Sequence, residues 1–111
     1  MRFLRRVKGP AWHYNQGLRL IEAARFERAL VSFQQALALD AGLAAAQDGR
    51  GQALLVLGRL KEAVAAFEEA LRLDPANSGA LANRGTALLR MGKVELAIAD
   101  LTRAAQLNPQ D

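Results

Sequence analysis

The stretch Gly51–Pro75, GQALLVLGRLKEAVAAFEEALRLDP, carries the pattern from which the fold follows. Shifted 34 residues back it overlays Gly17–Ala41, GLRLIEAARFERALVSFQQALALDA, and shifted 34 forward it overlays Gly85–Pro109, GTALLRMGKVELAIADLTRAAQLNP. Glycine recurs at 17, 51 and 85, and leucine at 20, 54 and 88. Ala29, Ala63 and Ala97 share a register, as do Ala36, Ala70 and Ala104. Phe33 and Phe67 are joined by Leu101, and Asp40 and Asp74 by Asn108. Three registers without an insertion mark stacked supersecondary units, in which each unit buries its apolar face on the next.

Each unit reads as two helices. In the second, helices are expected over about Leu43–Leu57 and Leu60–Leu73, broken at Gly58-Arg59, because glycine supplies the left-handed conformation of a helix end. Asp74-Pro75 stops the second helix, since a residue before proline is pushed out of the helical region. The third unit repeats this over about Ser78–Met91 and Val94–Leu107, with Ser78 as the expected N-cap. The first runs over about Pro10–Ala24 and Glu27–Leu39, with Pro10 tolerated in a first turn. Ala63, Phe67, Ala70 and Leu71 follow the i, i+4, i+7, i+8 stripe of a buried helical face. A glycine inside a helix costs about 1 kcal/mol relative to alanine, so three at one register imply close packing. Phe33, Phe67, Leu54 and Leu88 are the expected core.

Composition agrees. Alanine and leucine supply 42 of the 111 residues, whereas Val, Ile and Thr supply nine; such a balance favours helix over sheet. There is no cysteine, which excludes disulfides, thiolate metal sites and cysteine nucleophiles. His13 stands alone, so no multi-histidine metal site can form. The formal charge of +4 resides in the leader: Arg2, Arg5, Arg6 and Lys8 precede Gly9, and the remainder carries 11 basic and 11 acidic residues. A basic face for nucleic acid is therefore not expected. The leader could touch an acidic surface or lipid headgroups, but reads more simply as a solvated terminus or helix extension. It is too short in apolar residues for a signal peptide, and no apolar run approaches the ~20 residues of a membrane span. The expectation is a cytoplasmic chain with a basic leader at 1–9 and one all-α domain at 10–111, in units of about 10–42, 43–76 and 77–111.

The pattern G-x2-L, A-x3-F-x2-A, P at a period of 34 resembles the tetratricopeptide repeat family over about residues 10 to 109. There are departures: His13, Gln47 and Leu81 stand where the family usually has tryptophan, and Gln16, Arg50 and Arg84 where it commonly has leucine. The resemblance implies an α-α superhelix of three hairpins, six antiparallel helices in all, right-handed, with first helices lining a concave face that binds peptides or partner helices. Chaperone-binding members hold a ligand carboxylate with a clamp of Lys, Asn and Arg; the matching places here are Tyr14 and Leu18, Gly49, and Gly79 and Asn83, none of them a cation, so no carboxylate-clamp chaperone binding is expected. By the same mapping Tyr14, Asp48 and Ala82 form one ladder along the groove, Leu18, Gln52 and Thr86 a second, and Ile21, Leu55 and Leu89 a third, with Glu22, Val56 and Arg90 at its edge. The groove is mixed, with an apolar strip suited to an amphipathic helix or apolar peptide; the plainer alternative is that Ile21, Leu55 and Leu89 are half-buried packing.

A repeat stack leaves an apolar face at its end. The family's solvating helix has no counterpart in the four residues after Leu107. Either the third unit caps itself, or Val94, Ile98 and Leu101 support a weak homodimer. At the other end Trp12 and the leader are expected to shield the first hairpin, and Trp12, His13 and Tyr14 read as packing. Nothing suggests catalysis: Glu68 and Glu69, adjacent on a helix, diverge by ~100°, there is no phosphate-cradling glycine loop, and acidic residues lack metal-ligand spacing. No cofactor is expected. The sequence thus points to a protein–protein interaction module that takes a peptide or helix of an unidentified partner, or alternatively to a self-assembling structural unit.

Overall fold

The computed structural model describes residues 7–109. Arg2, Arg5 and Arg6, and with them most of the basic leader, lie outside the described residues. Six helices follow in order: α1 (Pro10–Glu22), α2 (Phe26–Leu39), α3 (Ala44–Val56), α4 (Leu60–Leu73), α5 (Ser78–Arg90) and α6 (Val94–Leu107). They form three hairpins of an all-α helical-repeat solenoid, the class the 34-residue period predicts.

The turns explain the boundaries. α3 and α5 end at Gly58 and Gly92, whose φ values of 77° and 80° lie in the left-handed region. The matching place in the first hairpin is Ala24, which adopts φ 59° without glycine's freedom. The amide of Arg25 donates to Leu20 O at 2.8 Å, as Arg59 does to Leu54 O and Lys93 to Leu88 O at 2.9 Å, so the chain forms the same turn in all three units. The N-cap of α5 is Asn77, not Ser78: the extended backbone is at Asn77, whose side chain accepts from the Ala80 amide at 3.0 Å. Ser78 is already the first helical residue, one step too late to turn its hydroxyl back onto the free amides.

Packing follows the repeat. Phe33, Phe67, Leu54 and Leu88 are buried, together with alanines of α2 to α6; on α1 the buried residue is Gly17. The recurrent glycines make room for side chains of the opposing helix. A Cβ at Gly17 would lie 2.5 Å from the Phe33 ring, one at Gly51 2.5 Å from the Phe67 ring, and one at Gly85 2.8 Å from Leu101 Cγ. The ring of Phe33 also reaches the next unit, where a Cβ at Gly49 would come within 2.6 Å of it.

Each second helix packs on the first helix of the next unit. First helices also touch in succession, α1 on α3 and α3 on α5, whereas among the described residues α2, α4 and α6 do not touch one another. Crowding on one side and splaying on the other curves the stack, and α1, α3 and α5 line its inner face.

Candidate functional site

The inner face is built from residues that the repeat places one unit apart on α1, α3 and α5. Tyr14 of α1 is half-buried, its ring tilted 51° against Phe33 with centroids 6.0 Å apart. Leu18, Ile21 and Leu55 are half-buried against the core, while Leu89 is exposed. The apolar strip is therefore part packing and part open surface, the open part growing toward α5. At its edge Glu22, Val56 and Arg90 are exposed.

Polar groups occupy the other two ladders. Asp48 lies on α3 between α1 and α5, with Oδ2 accepting from Gln52 Nε2 at 3.3 Å and Oδ1 buried without a hydrogen-bond partner. Burial raises its carboxyl above the ordinary value, and the side-chain amides of Gln52 and Asn83 act in the opposite direction. Tyr14 is raised as well, first by burial and then by the Asp48 charge. Thr86 spends its hydroxyl on its own helix, donating to Ala82 O at 3.0 Å. Arg90 is likewise engaged: Nη1 donates to Leu55 O at 3.1 Å, so a cation of the third unit adds a second donor to a carbonyl in the last turn of α3 that already accepts from the Gly58 amide. Arg90 thus braces neighbouring units as well as edging the groove.

Gly49 is buried, and its neighbour Phe33 fills the space into which a longer side chain would project. Asn83 faces Asp48, a pairing between positions 35 apart that single-register reading overlooks. The clearest omission is Arg84 with Asp100, which bridge α5 and α6 through Nε–Oδ2 at 2.7 Å and Nη2–Oδ1 at 2.8 Å. A charge at the leucine register of α5 facing one at the register of Ser32 and Ala66 was the available signal.

At the ends of the stack, Val94, Ile98 and Leu101 are 43%, 57% and 39% exposed. A recess of about 240 Å³ between the start of α5 and the end of α6 is lined by Ser78, Gly79, Ala82, Leu101, Ala104, Ala105 and Asn108, so Leu101 borders it and Val94 and Ile98 do not. At the other end Trp12 remains 43% exposed instead of covering the first hairpin; its ring meets His13 edge-on at 5.1 Å, and Lys8 Nζ lies 5.2 Å from its centroid. Helix rotation explains this, since Trp12 is one position before the register that faces inward. His13 and Gln47, at that register, each bury one polar atom without a partner, His13 Nδ1 and Gln47 Oε1. Among the described residues no group of three His, Cys, Asp or Glu is placed to hold a metal ion, and no helix is long and apolar enough to cross a membrane.

Comparison with known proteins agrees with this architecture. None of the curated protein sequences matches the chain. Among solved structures, the second TPR domain of Spaghetti (RPAP3) bound to the HSP90 peptide SRMEEVD is similar over 91% of this chain and 94% of that one, with 27% identity and a TM-score of 0.89. The TPR domain of Arabidopsis OM64 is similar over 93% of this chain and 85% of that one, with 24% identity and a TM-score of 0.91. YrrB, a TPR protein with an unusual peptide-binding site, is similar over 93% of this chain and 53% of that one, with 25% identity and a TM-score of 0.85. The tetratricopeptide repeat profile itself matches residues 14–78 and 49–111. With the profile covering nearly all of the described chain, and six helices packed as three hairpins, this protein belongs to the tetratricopeptide repeat family.

Proposed function

We propose that the chain is a non-catalytic interaction module that binds an extended peptide or amphipathic helix of a partner protein along α1, α3 and α5. The observation that carries the reading is the inner face itself, where Leu18, Ile21 and Leu55 are half-buried and Leu89 open beside polar Asp48 and Gln52. Apolar area for affinity thus adjoins hydrogen-bonding groups that can fix register. The peptide-bound relative supports the same use of the fold. A carboxylate clamp of the chaperone-binding type is not part of this reading, because Gly49 carries no side chain and Tyr14, Leu18 and Asn83 carry no positive charge.

A display library of random 12-residue peptides, selected on the intact chain, tests the proposal. Selected peptides are expected to lose binding to the double variant Leu55→Glu, Leu89→Glu while its helicity persists. Undiminished binding to that folded variant would refute the groove; if Leu55→Glu unfolds the chain, Leu89→Glu alone supplies the comparison, because Leu89 is exposed.

A second reading is self-association through α6. Phe33 and Phe67 are covered by the following first helix, whereas Leu101 in the same register is open beside Val94 and Ile98. Covering this patch would remove apolar area from water at ~25 cal/mol per Å², much of it offset by the entropy of association, which favours a weak dimer. Sedimentation should show concentration-dependent dimers that Ile98→Lys with Leu101→Lys abolishes; a wild-type chain that stays monomeric at millimolar concentration would exclude this reading.

A further inference from the structure

The most unusual group on the inner face is the carboxylate of Asp48. It sits where three first helices meet, with Tyr14 approaching from α1, Gln52 from its own helix and Asn83 from α5. Among the described residues none of the ion pairs involves it. Its polar neighbours are neutral amides that do not complete its coordination: Gln52 donates to Oδ2 over a long 3.3 Å, the Asn83 amide approaches, and Oδ1 is buried without a well-formed hydrogen bond. A buried oxygen with an unused lone pair costs stability, more so when it belongs to a charge.

The same register shows that the fold does not need this charge. One unit earlier it is Tyr14 and one unit later Ala82, on helices of the same length and packing. Elsewhere the chain does pair a buried carboxylate when it keeps one, as Asp100 shows with Arg84. Asp48 is left without such a partner on the face to which a ligand would come. Its nearest polar wall, Gln52, is held to it only by that one long bond and can rotate.

We infer that the groove selects peptides carrying a lysine or arginine side chain, which seats against Asp48 between Tyr14 and Asn83 with apolar residues on either side of it. This rests on the groove reading above and specifies its ligand. An ammonium or guanidinium supplies the donor that Oδ1 lacks and the positive charge that the surrounding amides cannot provide. Tyr14 presents an aromatic ring beside the cation. Leu18 and Leu55, half-buried on the adjoining ladders, receive the flanking apolar side chains. The selectivity is opposite in sign to that of a clamp for an acidic terminus.

A positional library of capped decapeptides tests this, with Lys, Arg, Gln, Leu or Glu fixed at the centre, flanked by leucine or alanine, and binding measured by fluorescence anisotropy. Central Arg or Lys should bind about tenfold more tightly than Gln, the scale of one charge-assisted hydrogen bond, and Glu should bind least. In Asp48→Asn, which preserves size and should fold at least as well, the ratio of Arg or Lys binding to Gln binding should fall to about one. As an independent readout, the carboxyl of Asp48 followed by carbon NMR should titrate at lower pH when N-acetyl-arginine methylamide is added at saturation. Peptides that bind without a basic preference, or a preference that survives in Asp48→Asn, would overturn the inference and leave the groove intact. Failure of every peptide in the library to bind would overturn both.

Discussion

Arg84 and Asp100 meet across the third hairpin with both carboxylate oxygens bonded, at 2.7 and 2.8 Å, although Asp100 is only 8% exposed. The pair joins α5 to α6 in a unit whose aromatic has been replaced by Leu101. Its two ends are not equivalent. Arg84 can lift its guanidinium toward solvent along an aliphatic stem, whereas the short side chain of Asp100 cannot. Arg84→Leu, which restores the family's usual residue, should therefore destabilise by about 2–4 kcal/mol by leaving a buried charge alone. Asp100→Ala should cost less, about 1–2 kcal/mol, because it recreates the Arg50–Ala66 combination of the second unit. The double variant should fall well short of the sum. Urea denaturation of the four proteins measures the coupling, and additive losses would show that the pair contributes nothing as a pair.

Ala24 holds a left-handed conformation that its counterparts meet with Gly58 and Gly92. The Cβ of an L-residue is strained there, by roughly 1–2 kcal/mol. Part of that is returned by the greater freedom of glycine in the unfolded chain. Ala24→Gly should stabilise the protein by about 0.5–1 kcal/mol, and Gly58→Ala should destabilise it by a similar amount. Thermal melts should shift in opposite directions for the two variants.

Gly51 and Phe67 occupy one volume between α3 and α4. A Cβ at 51 would stand 2.5 Å from the ring, so Gly51→Ala must displace it and should cost about 1–3 kcal/mol despite alanine's better helix propensity. Phe67→Ala should cost about 3–5 kcal/mol through the cavity it opens. Combining the two should cost less than the sum, since the new methyl enters the space the ring has left. Chemical denaturation would refute the packing if Gly51→Ala were stabilising in the wild-type background.

Asp48 also predicts a pH dependence. Burial raises its carboxyl in the folded state. Below the ordinary aspartate range both states hold the proton and the contribution to stability is complete. As pH rises through the raised value, the folded chain must carry a charge that the unfolded chain carries at less cost, and stability is lost. Wild-type stability should thus fall relative to Asp48→Asn between the ordinary aspartate value and the raised one, and stay lower at neutral pH. Equal pH profiles for the two proteins, measured by denaturation from pH 3 to 7, would show that the carboxylate is as well solvated folded as unfolded.

Much of this molecule is readable along the chain because its repeat is local. A helix of given period has one buried stripe, so Gly51, Ala63, Phe67 and Ala70 announce which faces meet, and 34-residue spacing announces that the arrangement recurs. Gly58, Gly92 and Asp74-Pro75 mark ends because backbone sterics act within a few residues. What the tertiary structure alone decides are meetings between side chains whose separation follows no single register. Arg84 finds Asp100 across a hairpin, Arg90 reaches the Leu55 carbonyl of the preceding unit, and Phe33 fills the space beside Gly49. Asn77 displaces Ser78 as the cap because one residue of helix phase decides which side chain faces the free amides. The burial of Asp48 depends on α1, α3 and α5 meeting around one carboxylate, a consequence of tertiary packing that a sequence period does not contain.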